Sequence, residues 1–305
     1  MSAIADIASQ GETMNEILNM YGDGVGYVKL VDSMGDSFTP AEDARMSTDK
    51  GRLGPEKDNA LQERLLKDAH TSPFEGVVVK FEICAPLFVI RELDRHRTVE
   101  KNSEEDPFEV VSPEEGMRKF MCRNEMSGRY IQMPDLYYYP AVVRAQSKTN
   151  KQGGGNDSIS PEVAAEFYKR GMEITRSARE HYTWAVEQGI EKGMARIYNT
   201  QNQYTKIRYT GSLKNWCDVL YLRLPSVVLW ECRVIAQHIR TLLKEKFHDP
   251  MSSWEKLVYN TVRIDRSEMH MILTALDLLD EIDGNLSNED IEMKSALRKK
   301  LETNK

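Results

Sequence analysis

Residues 77 to 84 read Val-Val-Val-Lys-Phe-Glu-Ile-Cys, and the next ten, Ala85 to Asp94, are largely apolar with a proline in second place. The β-branched, roughly alternating octapeptide predicts a strand. The stretch after it predicts a buried helix with Pro86 in its first turn. A strand running into a buried helix with no turn residues between them commits this region to a sheet with helices against it. Around it, Gly26 to Ser33 alternates apolar and polar residues before Met34-Gly35-Asp36, which reads as a second strand ending in a turn. Pro40 to Arg45 and Pro55 to Asp68 read as helices, the second with Leu61, Leu65 and Leu66 on one face. The opening third is therefore mixed α and β.

Beyond residue 160 the pattern reads as almost wholly helical. Ser160-Pro161-Glu162 supplies an N-cap, a first-turn proline and an acidic first turn, and this helix is expected to run to Gln188, where Gly189 closes it. Further helices are expected at Glu191 to about Thr200, Leu213 to Leu222, Pro225 to about Phe247, Met251 to Val262 and Asp265 to Ile282, before a charged, frayed tail. Two segments interrupt this order. Val99 to Phe120 is acidic, with a possible helix start at Ser112-Pro113-Glu114-Glu115, and Gln146 to Ser158, rich in Gly and Asn, reads as a loop.

At 305 residues, with 40% hydrophobic and 29% charged residues, the chain has globular composition and enough length for a sizeable core. Lys and Arg total 41 against 48 Asp and Glu, a formal charge of −7. That balance argues against a nucleic-acid or anionic-membrane partner but leaves room for a local basic pocket. Met1 to Asn19 lacks a cationic flank followed by an apolar run, and no long apolar span occurs, so export and membrane insertion are not expected. Cys84, Cys122, Cys217 and Cys232 lie far apart, which reads as four free thiols in a reducing cytoplasm, with no metal site. Gly22-Asp23-Gly24-Val25-Gly26 precedes a strand instead of joining a strand to a helix, so it reads as a turn. The H-E-x-x-H, G-x-S-x-G and P-loop patterns are absent.

The chemistry concentrates in arginines. Arg95-His96-Arg97 ends the apolar helix, Asn124-Glu125-Met126-Ser127-Gly128-Arg129-Tyr130 follows, and Arg196 and Arg223 stand among apolar residues. One helix C-terminus favours a basic triplet through its dipole. Guanidiniums on several otherwise apolar elements instead require an anionic partner, which a phosphate meets with bidentate contacts.

These strings, preceded by His70-Thr71-Ser72-Pro73-Phe74-Glu75, resemble in content and order the signatures of flavin-dependent thymidylate synthases. The similarity continues through Met133 to Pro140, Gln146 to Gly153, Ala195-Arg196, Thr210 to Trp216 and Leu222-Arg223, so it covers about residues 26 to 250. The resemblance implies an α+β fold, a mixed sheet with flanking helices and a helical C-terminal portion. It also implies a homotetramer whose active sites are shared between subunits. The reaction it implies is methylation of dUMP at C5 to dTMP, with methylenetetrahydrofolate as carbon donor and NADPH reducing FAD. Carried over by position, Ser72, Arg95, His96, Arg97, Glu125, Ser212, Lys214 and Asp218 would contact FAD. Glu92, Arg95, Ser127, Gly128, Arg129 and Arg196 would hold the nucleotide, and Arg223 would act catalytically at the pyrimidine by promoting ionisation at N3. A guanidinium suits that task because it stays protonated and is fixed before charge develops. No cysteine occupies a Pro-Cys-His setting, so thiolate activation of the ring is not expected.

The chain departs from the family pattern in four places. The 29 residues from 98 to 126 stand where the family has seven, and the acidic excess reads as a surface insertion, since added loop length costs little closure entropy, with a lid over the folate side as the functional alternative. Glu92 replaces the usual Gln, and Asp218 and Lys214 replace Asn or His and Arg. Val228-Leu229 replaces a small residue and Gln. The expected organisation is an extension over 1–25, the catalytic domain over 26–250 with the insertion at 99–120, and C-terminal helices and tail over 251–305. Two rival readings stay open: a sister enzyme that hydroxymethylates or acts on dCMP, and a non-catalytic homologue that binds flavin or nucleotide.

Overall fold

The computed structural model describes residues 16–95, 121–148, 154–262, 265–282 and 295, 297 and 298. His96, Arg97 and the acidic insertion at 99–120 lie outside them. The chain divides into two compact units, Met1–Tyr259 and Asn260–Lys305.

The first unit opens with β1 (Glu16–Leu18), β2 (Tyr27–Met34), α1 (Thr39–Arg45) and α2 (Pro55–Lys67), then a 3-10 turn at Ser72–Glu75. Next come β3 (Val78–Pro86), α3 (Leu87–Leu93), β4 (Met121–Glu125), β5 (Arg144–Gln146) and β6 (Gly154–Ser158). The rest is α4 (Pro161–Glu187), α5 (Lys192–Ala195) with a 3-10 turn at Arg196–Tyr198, β7 (Tyr204–Ser212), α6 (Leu213–Arg223), α7 (Trp230–Lys246) and α8 (His248–Trp254). A π turn over Glu255–Tyr259 ends the unit. In the second unit α9 (Arg266–Ile282) starts behind Asp265, whose carboxylate accepts the backbone N–H groups of Ser267 and Glu268 at 2.8 Å each.

The principal sheet has five strands in the order β1-β2-β3-β7-β4, and every pairing is antiparallel. The expected α+β class holds. Alternation places Val79, Phe81 and Ile83 of β3 and Ile207 and Tyr209 of β7 on one buried face, while Lys80, Glu82, Lys206 and Arg208 point the other way. The buried face joins the core formed with Trp216 and Leu220 of α6 and Ile235, Ile239 and Leu242 of α7. Trp216 meets Phe81 edge-on at 4.8 Å and donates its indole N–H to the Val79 carbonyl at 3.1 Å, which fixes α6 to the sheet.

Several expectations need correction. The largest concerns Tyr204–Ser212, which falls where the pattern reads helical but forms the strand between β3 and β4. Its alternation of Lys206 and Arg208 with Ile207 and Tyr209 fits a half-buried strand, and tertiary pairing selects it. Gln146 to Ser158 is not all loop, because Gly154–Ser158 pairs with Arg144–Gln146. Pro86 ends β3 instead of sitting in the first helical turn, since pairing continues to Pro86 opposite Tyr204 and Leu87 N–H still bonds the Gln203 carbonyl at 3.0 Å. The helix expected from Pro225 begins at Trp230, because a turn closed by Val228 N–H on the Pro225 carbonyl at 3.1 Å precedes it. The helix expected over Glu191 to Thr200 stops at Ala195 and tightens to a 3-10 turn, and the one expected over Met251 to Val262 starts at His248 and changes to a π turn after Trp254. Ser160 caps α4 as expected, accepting Val163 N–H at 3.4 Å, and Gly189 follows it at φ +80°.

Candidate active site

β4 ends at Glu125, and the chain then turns over Ser127. The Ser127 carbonyl accepts the N–H groups of Tyr130 at 3.1 Å and Ile131 at 3.2 Å, and its hydroxyl accepts Arg129 N–H at 3.3 Å. This turn forms one wall of a cleft of about 530 Å³, α3 supplies Leu87 and Arg91, and the segment after α4 supplies Gly193, Arg196 and Asn199. Gln201 and Gln203, leading into β7, line it too. Of the residues named from sequence, the cleft brings together Glu125, Ser127, Gly128 and Arg196.

Gly128 is buried because the Arg196 side chain crosses it. A Cβ at Gly128 would stand 3.3 Å from Arg196 Cδ and 3.4 Å from Nη1. Among the described residues no carboxylate pairs with Arg91, Arg129 or Arg196, whereas Glu125 is engaged at both oxygens, by Arg123 at 2.5 Å and Thr205 Oγ1 at 3.1 Å. The cleft thus keeps unneutralised guanidiniums beside a small turn, a setting that favours an anion. Arg91 escaped the sequence reading; it reaches the cleft from α3, whereas Arg95 lies beyond the end of that helix.

The other named residues fall into two further groups. At the end of α3, Arg95 pairs with Glu92 Oε1 at 3.2 Å with its side chain 68% exposed, and Arg223 Nη2 donates to the Glu92 carbonyl at 3.0 Å. Arg223 Nε is buried without a partner. Glu92, Arg95 and Arg223 do not line the cleft, but the helix that carries Glu92 also carries Arg91 into it. At the opposite end of β3, where Val78 pairs with Ser212, the chain gathers Ser72, Ser212, Lys214 and Asp218. Ser212 caps α6, donating its hydroxyl to Asn215 Oδ1 at 2.8 Å, and Lys214 Nζ meets Glu75 Oε1 at 2.8 Å. Burial pushes the Cys84 thiol up to about 11 and Cys232 up to about 12, so neither is a thiolate at neutral pH.

A second cleft, of about 560 Å³, lies among Phe88, Tyr138, Tyr139, Phe167 and Tyr168 and holds none of the named residues. Its charge is internal. Arg144 Nη2 bonds Glu231 at 2.6 and 2.7 Å, and Tyr138 OH donates to the same carboxylate at 2.8 Å. Among the described residues no three His, Cys, Asp or Glu side chains come together as a metal site would require.

An antiparallel sheet backed by helices carries a cleft large enough for a nucleotide, lined by Arg91 and Arg196, whose charge suits a small anionic molecule. The profile of the family described as thymidylate synthase complementing protein matches residues 29–248. A flavin-dependent thymidylate synthase of Thermus thermophilus is 30% identical over 276 residues, 90% of this chain and 93% of that one. One of Kosmotoga olearia is 31% identical over 224 residues, 72% of this chain and 86% of the other. The crystal structure of a UMP/dUMP methylase PolB from Streptomyces cacaoi, bound with 5-Br dUMP, shares the fold at a TM-score of 0.61 and 21% identity, over 75% of this chain and 94% of that one. The chain belongs to the thymidylate synthase complementing family and is an enzyme of that family.

Proposed function

We propose that this enzyme methylates dUMP to dTMP with FAD as cofactor and methylenetetrahydrofolate and NADPH as co-substrates. The observation that carries the reading is the cleft where Arg91 and Arg196 stand without carboxylate partners among the described residues, beside the Ser127-Gly128-Arg129 turn. A nucleotide monophosphate supplies the charge those groups lack. The Ser127 hydroxyl and nearby N–H groups add directional donors. Arg223 fits a role at the ring: one amino group is fixed by the Glu92 carbonyl, its Nε is buried and unspent, and it cannot deprotonate. A guanidinium held in place before the pyrimidine loses its N3 proton stabilises the resulting anion with little reorganisation. The buried thiols take no part.

The donor set suits a flavin dinucleotide. Arg95 is largely exposed with one carboxylate neighbour, Lys214 is a second cation, and α6 offers a helix N-terminus for an anionic bridge. Glu125, Ser72 and Asp218 add polar contacts. Bound flavin supplies the hydride chemistry, and the chain's part is to hold and orient the reactants. A shared site in a homotetramer accounts for two groups of cofactor residues at different ends of the sheet, and the exposed Met194, Ile197 and Tyr198 flanking Arg196 fit burial by another subunit. Glu92 bears on substrate choice. Facing a base, a carboxylate favours the cytosine amino group, but Arg95 engages it, which favours dUMP over dCMP. A cytoplasmic setting accords with four free thiols, and no helix among the described residues is long and apolar enough to cross a membrane.

The test is the visible spectrum of the purified protein, its sedimentation mass, and mass spectrometry of products from dUMP and from dCMP with all cofactors. A yellow tetramer producing dTMP is expected. A colourless protein that takes up no flavin overturns the reading, and preferential turnover of dCMP, reversed by Glu92→Gln or Asp218→Asn, replaces dUMP as substrate.

A further inference from the structure

Arg123 stands on β4 opposite Tyr209 of β7, two residues before Glu125, so its side chain and that of Glu125 share one face of the sheet. Its Nη1 donates to Asp94 Oδ2 at 2.8 Å and its Nη2 to Glu125 Oε2 at 2.5 Å. The remaining oxygens are also used: Asp94 Oδ1 accepts Tyr209 OH at 2.7 Å, and Glu125 Oε1 accepts Thr205 Oγ1 at 3.1 Å. Burial, reinforced by the bond to Asp94, pushes the Tyr209 phenol well above its ordinary value, so it remains a donor. The result is a closed network joining the end of α3, strand β4 and strand β7.

Asp94 immediately precedes Arg95, and Glu125 stands two residues before Ser127. The network therefore ties together the two stretches that the resemblance assigns to the site, across the segment at 96–120. It also decides what Glu125 does with its charge. Glu125 lines the same cleft as Arg91 and Arg196, and a carboxylate released there would repel an incoming phosphate and compete for those guanidiniums.

We propose that Arg123 is a positioning residue that holds the Glu125 carboxylate away from the cleft arginines and so keeps Arg91 and Arg196 available to the anionic ligand. The exposure of the three charged side chains, 40% for Arg123, 16% for Asp94 and 27% for Glu125, makes the pairs modest as fold stabilisers. Their weight falls instead on where one carboxylate points. The inference rests on the proposed nucleotide site for its ligand.

The experiment measures dUMP binding to the flavin-loaded enzyme by calorimetry, with thermal unfolding alongside. Arg123→Met keeps the stem and removes the charge. It should weaken dUMP binding about tenfold, the scale of one charge-assisted hydrogen bond. Arg123→Lys should recover part of the loss. The double variant Arg123→Met with Glu125→Gln should bind dUMP more tightly than Arg123→Met alone, because the competing charge is gone, a recovery that a merely structural role would not produce. Should Arg123→Met fail to fold, Arg123→Gln carries the same comparison. Unchanged affinity in the single variant, or no recovery in the double variant, overturns the inference. Failure of the unmodified holoenzyme to bind dUMP would instead overturn the nucleotide reading itself.

Discussion

Gly128→Ala adds one methyl group where Arg196 crosses the turn. Gly128 does not occupy the left-handed region, so alanine adopts its backbone without strain, and the effect comes from contacts alone. The new Cβ would stand 3.2 Å from Met133 Cγ, 3.3 Å from Arg196 Cδ and 3.4 Å from Arg196 Nη1. Met133 can yield by changing rotamer, and Arg196 is exposed and can swing outward, so the fold should lose no more than about 1 kcal/mol. The guanidinium, however, leaves its place over the turn. A charged hydrogen bond to phosphate contributes about 1.5–3 kcal/mol, which corresponds to a loss of about 10- to 150-fold in affinity. Titration calorimetry with dUMP reads that loss, and thermal unfolding reads the stability. Gly171→Ala is the control: it lies within α4 with nothing within 4 Å of its added methyl, and should stabilise by about 0.5–1 kcal/mol. If Gly128→Ala binds dUMP as well as the unmodified enzyme while Arg196→Ala does not, the steric reasoning fails.

Arg223→Ala should reduce turnover by about two orders of magnitude or more and leave flavin binding intact, and near-normal turnover would place the catalytic guanidinium elsewhere. Glu255 is raised by burial but lowered further by hydrogen bonds from Arg240 at 2.7 Å and Lys244 at 2.6 Å, so its carboxyl sits below the usual range. Its stabilisation is present above the unfolded-state value and is lost as pH falls through the folded one; Glu255→Gln should thus cost about 1–2 kcal/mol near neutrality, given partners that are partly exposed. Urea titrations across pH should show that gap closing below the ordinary glutamate range, and a gap constant with pH would contradict the assignment. Trp216→Phe keeps the edge contact to Phe81 but leaves the Val79 carbonyl without its donor, and should cost about 1–2 kcal/mol in denaturant midpoint.

What the sequence revealed depended on the range of the interactions involved. Strands β2 and β3 were visible because one-sided burial writes itself as alternation, and α4 was visible at both ends because Ser160-Pro161 and Gly189 are local signals. Strand β7 carries the same alternation, Lys206 and Arg208 against Ile207 and Tyr209, but it sits between helical segments, and only its pairing with β3 and β4 settles the matter. In the site, the motif strings identified Glu125, Ser127, Gly128 and Arg196 without showing that they share a cleft, because their meeting depends on where β4 and the segment before β7 lie. Arg91 and Arg123 were both missed: nothing local shows that α3 presents Arg91 to the cleft, and the bond from Arg123 to Asp94 depends on where β4 lies beside β7.

The chain's formal charge of −7 gives no guide to its affinity for anions, because what matters is which charges the fold has already matched. Arg45 is paired with Asp58, Arg144 with Glu231, Arg208 with Glu82, Arg240 with Glu255, and Arg123 with both Asp94 and Glu125. Each pair removes a guanidinium from competition for a ligand and a carboxylate from the field that would repel one. Arg91, Arg129 and Arg196 have no such match among the described residues, and all three stand around the one turn where Gly128 lets a side chain pass close to the backbone. An acidic protein can therefore present a cationic cleft without a basic surface. The pairs formed elsewhere leave those three guanidiniums grouped at one turn, and that grouping favours an anion site there even though the molecule as a whole carries net negative charge.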